Sequence, residues 1–114
     1  MPASHKLQPV SDGLLTPDRL DAACQILRAL MHPVRLRLCE LLLRGDCTVG
    51  DLATALDLKP NVVSQHLNLL RAFGIVTPRR LGRTVHYVVT HPGPGWLLEC
   101  IRRHGPGADA AARE

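Results

Sequence analysis

A chain of 114 residues makes one domain with a modest core and is small for a free-standing enzyme. Apolar residues are 46% of it, which argues against disorder; with one Trp, one Tyr and one Phe, the core must come from Leu, Val, Ile and Ala. The net charge is +4, and no run approaches the roughly 20 apolar residues that a membrane span needs.

Residues 1–13, MPASHKLQPVSDG, are polar and contain no apolar signal core. They read as a flexible arm on a cytoplasmic protein. Thr16-Pro17-Asp18 then supplies an N-cap, a proline for the first helical position and an acid for the first turn. Leu20, Ala23, Leu27, Leu30 and Met31 follow at helical spacing. Pro33 closes that helix and opens a second, HPVRLRLCELLLRG, which Gly45 stops. Thr48 and Asp51 form a capping box, with Asp in place of Glu, and open a short third helix over about 49–57. Leu58-Lys59 is a tight connection, and Pro60 starts a fourth helix that closes at Gly74. Two short helices joined this closely form a helix-turn-helix pattern.

The period changes in IVTPRRLGRTVHYVVT. Val85, Tyr87 and Val89 alternate with His86 and Val88, and Leu81-Gly82-Arg83 separates two β-prone runs, which predicts a β-hairpin. Pro78 restricts the first strand to an edge or a bulge. HPGPG breaks the chain, and a last helix from Pro94 to about His104 carries Trp96, Leu97, Cys100 and Ile101. Residues 105–114 read as a flexible tail, leaving one domain over 14–104.

Charge is distributed unevenly. No Asp or Glu lies between Asp57 and Glu99, while Lys59, Arg71, Arg79, Arg80 and Arg83 fall in that interval. Such a zone attracts phosphate. On the fourth helix, Val63, Leu67 and Leu70, with Val62 or Pro60 one turn earlier, line a core stripe, and Asn61, Ser64, Gln65 and Asn68 point away from it. Uncharged amide and hydroxyl groups suit base edges in the major groove, and a helix amino end favours a nearby phosphate. Lys59 and Val62 flank this group and are counted with it as DNA contacts. His66 either joins them or packs half-buried. Arg79, Arg80 and Arg83 are placed to reach phosphates or an adjacent minor groove. A solvated basic face, with Asn61 serving only as a cap, is the plain alternative. The fold expected is mostly α with a small β-hairpin, a winged helix-turn-helix.

Residues 20–90 resemble the ArsR/SmtB family of bacterial winged-helix repressors. HPVRLRL looks like the family's second-helix signature, VGDLATALDLKPNVVSQHLNLLRAFGIV like its helix-turn-helix, and GRTVHYVV like its wing. His32 falls in the family's His-Pro pair and reads as structural. The resemblance implies a homodimer, packed through first and last helices, on double-stranded DNA carrying an imperfect inverted repeat. It also implies that an effector releases the apo repressor from its operator. Leu20, Leu27, Leu30, Trp96, Leu97 and Ile101 are the apolar surface expected at such a dimer interface.

The effector stays open. The resemblance points to a cysteine at the start of the third helix, but here Cys47 stands one place earlier than in metal-sensing relatives. The last helix offers Glu99, Cys100 and His104, a different set from the family's Asp and His ligands. Cys100 and His104 share a helix face and can offer one sulfur and one nitrogen, and Cys24 can approach Cys100 across a dimer interface. Cys24, Cys47, Cys100 and His104 are therefore the candidate ligands, for a soft metal ion or arsenite, and the same thiols suit a redox signal. Cys39, between Leu38 and Leu41, reads as a buried hydrophobe. The spacings form no disulfide framework. The rival readings are a regulator with no metal effector and a winged helix that binds protein. No nucleophile–base–acid set supports an enzyme.

Overall fold

The computed structural model describes residues 13–108. The elements run α1 (Pro17–Leu30), α2 (Pro33–Arg44), β1 (Cys47–Thr48), α3 (Val49–Leu56), α4 (Pro60–Ala72), β2 (Val76–Leu81), β3 (Thr84–Val89) and α5 (Gly93–His104). Of the arm expected at 1–13 and the tail expected at 105–114, residues 1–12 and 109–114 lie outside the described residues.

Most boundaries have a local cause. The Thr16 hydroxyl accepts from the Arg19 N–H at 3.3 Å, and Pro17 occupies the first position of α1. His32 caps α2, its Nδ1 accepting from the Val34 N–H at 3.1 Å, as a structural histidine would. The Thr48–Asp51 capping box is complete in both directions, at 3.0 and 3.1 Å. α4 ends in a Schellman turn. Gly74, at φ 73°, donates to the Arg71 carbonyl, and Ile75 donates to the Leu70 carbonyl, so Ile75 follows the helix directly into the core.

β2 and β3 pair antiparallel from Val76↔Val89 to Leu81↔Thr84, leaving Gly82-Arg83 as a two-residue loop. Gly82 is at φ 63° and Arg83 is not at positive φ, the combination of a type II′ turn. Pro78 sits in β2, which is an edge strand, so its missing N–H breaks no ladder on the outer side. The sheet has a third strand that the sequence pattern did not predict. β1 pairs with the other side of β3 through Cys47↔Tyr87 and Thr48↔His86, giving the order β1-β3-β2. Two residues are too few to display a period, so β1 exists only because β3 is there to receive it.

α2 runs through the middle and packs on α1, α4, α5 and β3. Leu38, Cys39, Leu52, Val63, Leu67, Leu70 and Ile75 are buried at its sides and complete an aliphatic core. Leu30 corrects an expectation. It was placed on the dimer interface, but it is 1% exposed within its own chain, because the end of α1 turns inward with Ala29 onto this core. Leu97 is half-buried against the same core, and Leu98 is buried in it. Leu20, Leu27, Trp96 and Ile101 do remain exposed, Trp96 at 74%. Among the described residues no helix is long and apolar enough to cross a membrane.

Candidate nucleic-acid interface

α3 ends on Asp57, a left-handed residue at φ 54°, and the Leu58 N–H returns to the Ala53 carbonyl at 3.0 Å. That turn swings α4 away at once and presents its amino end. Lys59 is the cap residue of α4 and contributes no side-chain hydrogen bond, so Asn61 lies inside the helix and does not act as a cap. The buried stripe is Val63, Leu67 and Leu70, as the 3.6-residue period requires. On the other side Asn61, Gln65 and Asn68 are exposed, Ser64 and Val62 are half-buried, and Lys59 is exposed. Residues 61, 64, 65 and 68 thus form one polar face that carries no charge.

His66 is placed differently. Its ring tilts against that of His32, with centroids 4.7 Å apart, and its Nδ1 lies 3.5 Å from Arg35 Nη1. Arg35 is held in turn by an Nε–H bond of 2.6 Å to the Ala29 carbonyl. Burial, then the neighbouring His32 and Arg35 charges, pushes the His66 pKa down. This half-buried, engaged ring is the packed alternative stated above for His66.

The wing supplies the charge. Arg79, Arg80 and Arg83 are exposed, and among the described residues none of them forms an ion pair. Arg37, Arg102 and Arg103, by contrast, are ion-paired. Arg102 and Arg103 reach Glu99 at 2.6 and 2.8 Å, Arg102 also lies 3.9 Å from Glu40, and Arg37 contacts Glu40. The wing thus presents three exposed guanidinium groups with no carboxylate partner among the described residues, an arrangement that attracts phosphate.

The cysteines do not converge within the chain. Among the described residues no group of three or more His, Cys, Asp and Glu side chains is placed to hold a metal. Cys24 and Cys100 are exposed on α1 and α5, and His104 is exposed in the last turn of α5. Cys47 is half-buried at β1, its Sγ–H directed to the Gly45 carbonyl at 3.4 Å, beside an open depression of about 300 Å³ lined by Leu41, Arg44 and Leu52. Burial, followed by the Asp51 and Asp46 carboxylates, raises its pKa and disfavours the thiolate that a soft metal would need. Cys39 is fully buried and its thiol is pushed up to about 11, as an inert core residue should be.

Sequence reasoning assigned no role to Arg35. Its signal was a lone cation at the apolar start of α2, followed by another arginine at 37, and nothing in spacing alone separates the two. The fold does: Arg35 is half-buried and bonded to α1 and α4, whereas Arg37 is exposed and ion-paired.

Residues 32–77, which hold α2, the helix-turn-helix and the start of the wing, match the model of the arsR family of bacterial regulatory proteins. The HTH-type transcriptional repressor SmtB of Mycobacterium tuberculosis is 46% identical over 90 residues, which cover 78% of this chain and 67% of that one. Among solved structures, HlyU from Vibrio cholerae superposes with a TM-score of 0.71 at 30% identity, over 77% of this chain and 96% of that one. The homodimeric winged helix-turn-helix DNA-binding domain of a possible ArsR-family regulator from Mycobacterium bovis gives 0.68 at 26% identity, over 76% and 84%. The helix-turn-helix, the wing and these likenesses agree: the chain belongs to the arsR family of bacterial regulatory proteins, DNA-binding transcriptional regulators rather than enzymes.

Proposed function

We propose that this chain is a cytoplasmic homodimeric repressor that reads an imperfect inverted repeat and is released by a soft metal, metalloid or thiol-reactive signal. The observation that carries the DNA reading is the uncharged face of Asn61, Ser64, Gln65 and Asn68 on α4, in a chain whose wing carries the exposed Arg79, Arg80 and Arg83, none of them ion-paired among the described residues. In the major groove, amides bond adenine edges and the Ser64 hydroxyl bonds several bases, while Lys59, Arg79, Arg80 and Arg83 hold phosphates and fix register. Val62 supplies an apolar contact beside them. A twofold dimer seats two such helices about one helical turn apart, so the half-sites repeat at that spacing.

The dimer reading is supported by the exposed Leu20 and Leu27 of α1 and Trp96 and Ile101 of α5. It is also supported by the homodimeric state of the Mycobacterium bovis relative. Cys24 lies on the face of Leu20 and Leu27, and Cys100 on the face of Trp96, each at helical spacing. Closing the dimer on these faces draws both thiols toward one interface. Among the described residues no three-donor group lies within one chain, which favours a site shared between protomers; Cys24, Cys100 and His104 are the exposed donors that would form it. Cys47 contributes least, since its surroundings resist the thiolate. Operator and effector then oppose each other reciprocally.

The test is footprinting on DNA upstream of the protein's own coding sequence, repeated with arsenite, zinc and a mild oxidant. Protection of an inverted repeat, lifted by one of these agents and retained in Cys100→Ser, is the expected outcome. Protection that no agent lifts removes the thiol effector, and no protection at low salt removes the DNA reading.

A further inference from the structure

His66 lies on the helix that carries the base-reading face, yet its ring is turned away from that face. Its Nδ1 faces the guanidinium of Arg35 at 3.5 Å. A guanidinium has no acceptor, so a hydrogen bond here requires His66 Nδ1 to be the unprotonated nitrogen of a neutral ring. Arg35 stands between two elements: one side bonds the carbonyl of Ala29 at the end of α1, the other meets α4. His32, whose ring lies tilted against that of His66, also uses its Nδ1 as an acceptor, for the cap of α2. Three side chains therefore tie the α1–α2 corner to α4, and each imidazole bond needs a lone pair that a proton would remove.

We propose that Arg35 and neutral His66 form a joint that holds α4 in its reading orientation, so that protonating His66 loosens sequence discrimination. The proposal rests on the operator reading above and adds a positioning residue to it. The charged and titratable groups facing His66 are His32 and Arg35; α1, α3 and β2, also packed on α4, add none among the described residues. A second positive charge on His66 meets the Arg35 cation and loses the hydrogen bond together. Burial first, then the His32 and Arg35 charges, lowers the His66 pKa, so the Arg35 conflict acts in the same direction as the larger cause. α4 then keeps its core stripe but loses the contact that fixes its tilt against α1. Geometry at base edges suffers more than attraction to phosphate, because hydrogen bonds to bases are directional and Coulomb attraction is not.

The test uses the full chain and a duplex of about 30 base pairs, enriched from random DNA by in vitro selection with the protein, alongside its shuffled counterpart. Anisotropy titrations at constant ionic strength give the affinity ratio of the two duplexes from about pH 8 to about pH 5.5. That ratio cancels the general gain in phosphate binding that acid brings. It should fall about tenfold for the wild type, a usual size for coupling between sites. His66→Asn, which offers an acceptor near the Nδ1 position and does not titrate, should hold its ratio within about twofold, at the lower edge of such coupling. A flat wild-type ratio, or an equal fall in His66→Asn, overturns the joint. Without DNA, the NMR titration of the His66 Cε1–H should show a midpoint below 6.5 in the wild type, and Arg35→Gln should raise it. A wild-type midpoint at or above 6.5 overturns the joint even if Arg35→Gln does not fold. Failure to enrich any duplex refutes the operator reading instead, and the NMR titration still decides whether the contact exists.

Discussion

Arg83→Ala is the cleanest perturbation of the wing. Arg83 is the second residue of the two-residue loop, exposed, with no ion pair among the described residues, so its loss disturbs no core contact. Folding stability should stay within about 0.5 kcal/mol, the usual range for such a surface site. Binding should respond through counterion release. One phosphate neutralised contributes about 0.9 to the slope of log affinity against log salt. A dimer with both wings engaged therefore loses roughly 1.8 units. Across a fourfold rise in salt, the deficit of the variant against the wild type shrinks by about tenfold on that slope. Anisotropy on a selected and a shuffled duplex at several KCl concentrations measures it, and both duplexes should lose affinity alike. An unchanged slope means that Arg83 neutralises no phosphate. A loss confined to the selected duplex means that it reads groove shape instead.

Gln65→Ala removes a base-edge partner without changing charge, so it should cost on the order of 1–3 kcal/mol per half-site, about twice that for the dimer on the selected duplex, and little on the shuffled one. Equal losses on both would remove Gln65 from the reading face. Leu30 and Leu27 lie three apart on α1 but should fail in different ways. Leu30→Ala opens a core cavity and should cost about 2–5 kcal/mol in urea unfolding, whereas Leu27→Asp should keep the helical CD signal and sediment as a monomer. A dimeric Leu27→Asp would exclude that face of α1 from the interface. The Asp51 carboxylate is held below its ordinary value of 3.8 by the Thr48 backbone N–H, then by the Thr48 hydroxyl. A depressed carboxylate stabilises the fold above its unfolded value and loses that contribution as pH falls through its folded one. The stability gap between wild type and Asp51→Ala should therefore be present at about pH 6 and shrink as pH falls below the ordinary value of 3.8. A gap independent of pH would mean that the cap does not depend on the charge.

The helices were legible in the sequence because their causes are local. Thr16-Pro17, His32-Pro33, the Thr48–Asp51 box and Gly74 mark helix boundaries within a few residues of the backbone they shape. The stripe of Val63, Leu67 and Leu70 follows from the period of one helix, and so does the polar face opposite it. The hairpin was legible for the same reason, through alternation around Gly82. Tertiary structure alone decided matters that depend on what arrives from far along the chain. β1 has only two residues and is a strand because Tyr87 and His86 lie beside it. Leu30 and Leu27 look alike in the α1 pattern, and only the packing of α2 against the end of α1 buries the first and leaves the second exposed. His66 belongs by position to the polar amino half of α4, yet a bond partner 31 residues earlier draws it inward. Periodicity assigns a side chain to a face of its own helix, whereas what meets that face is settled by contacts between segments whose pairing no local window contains.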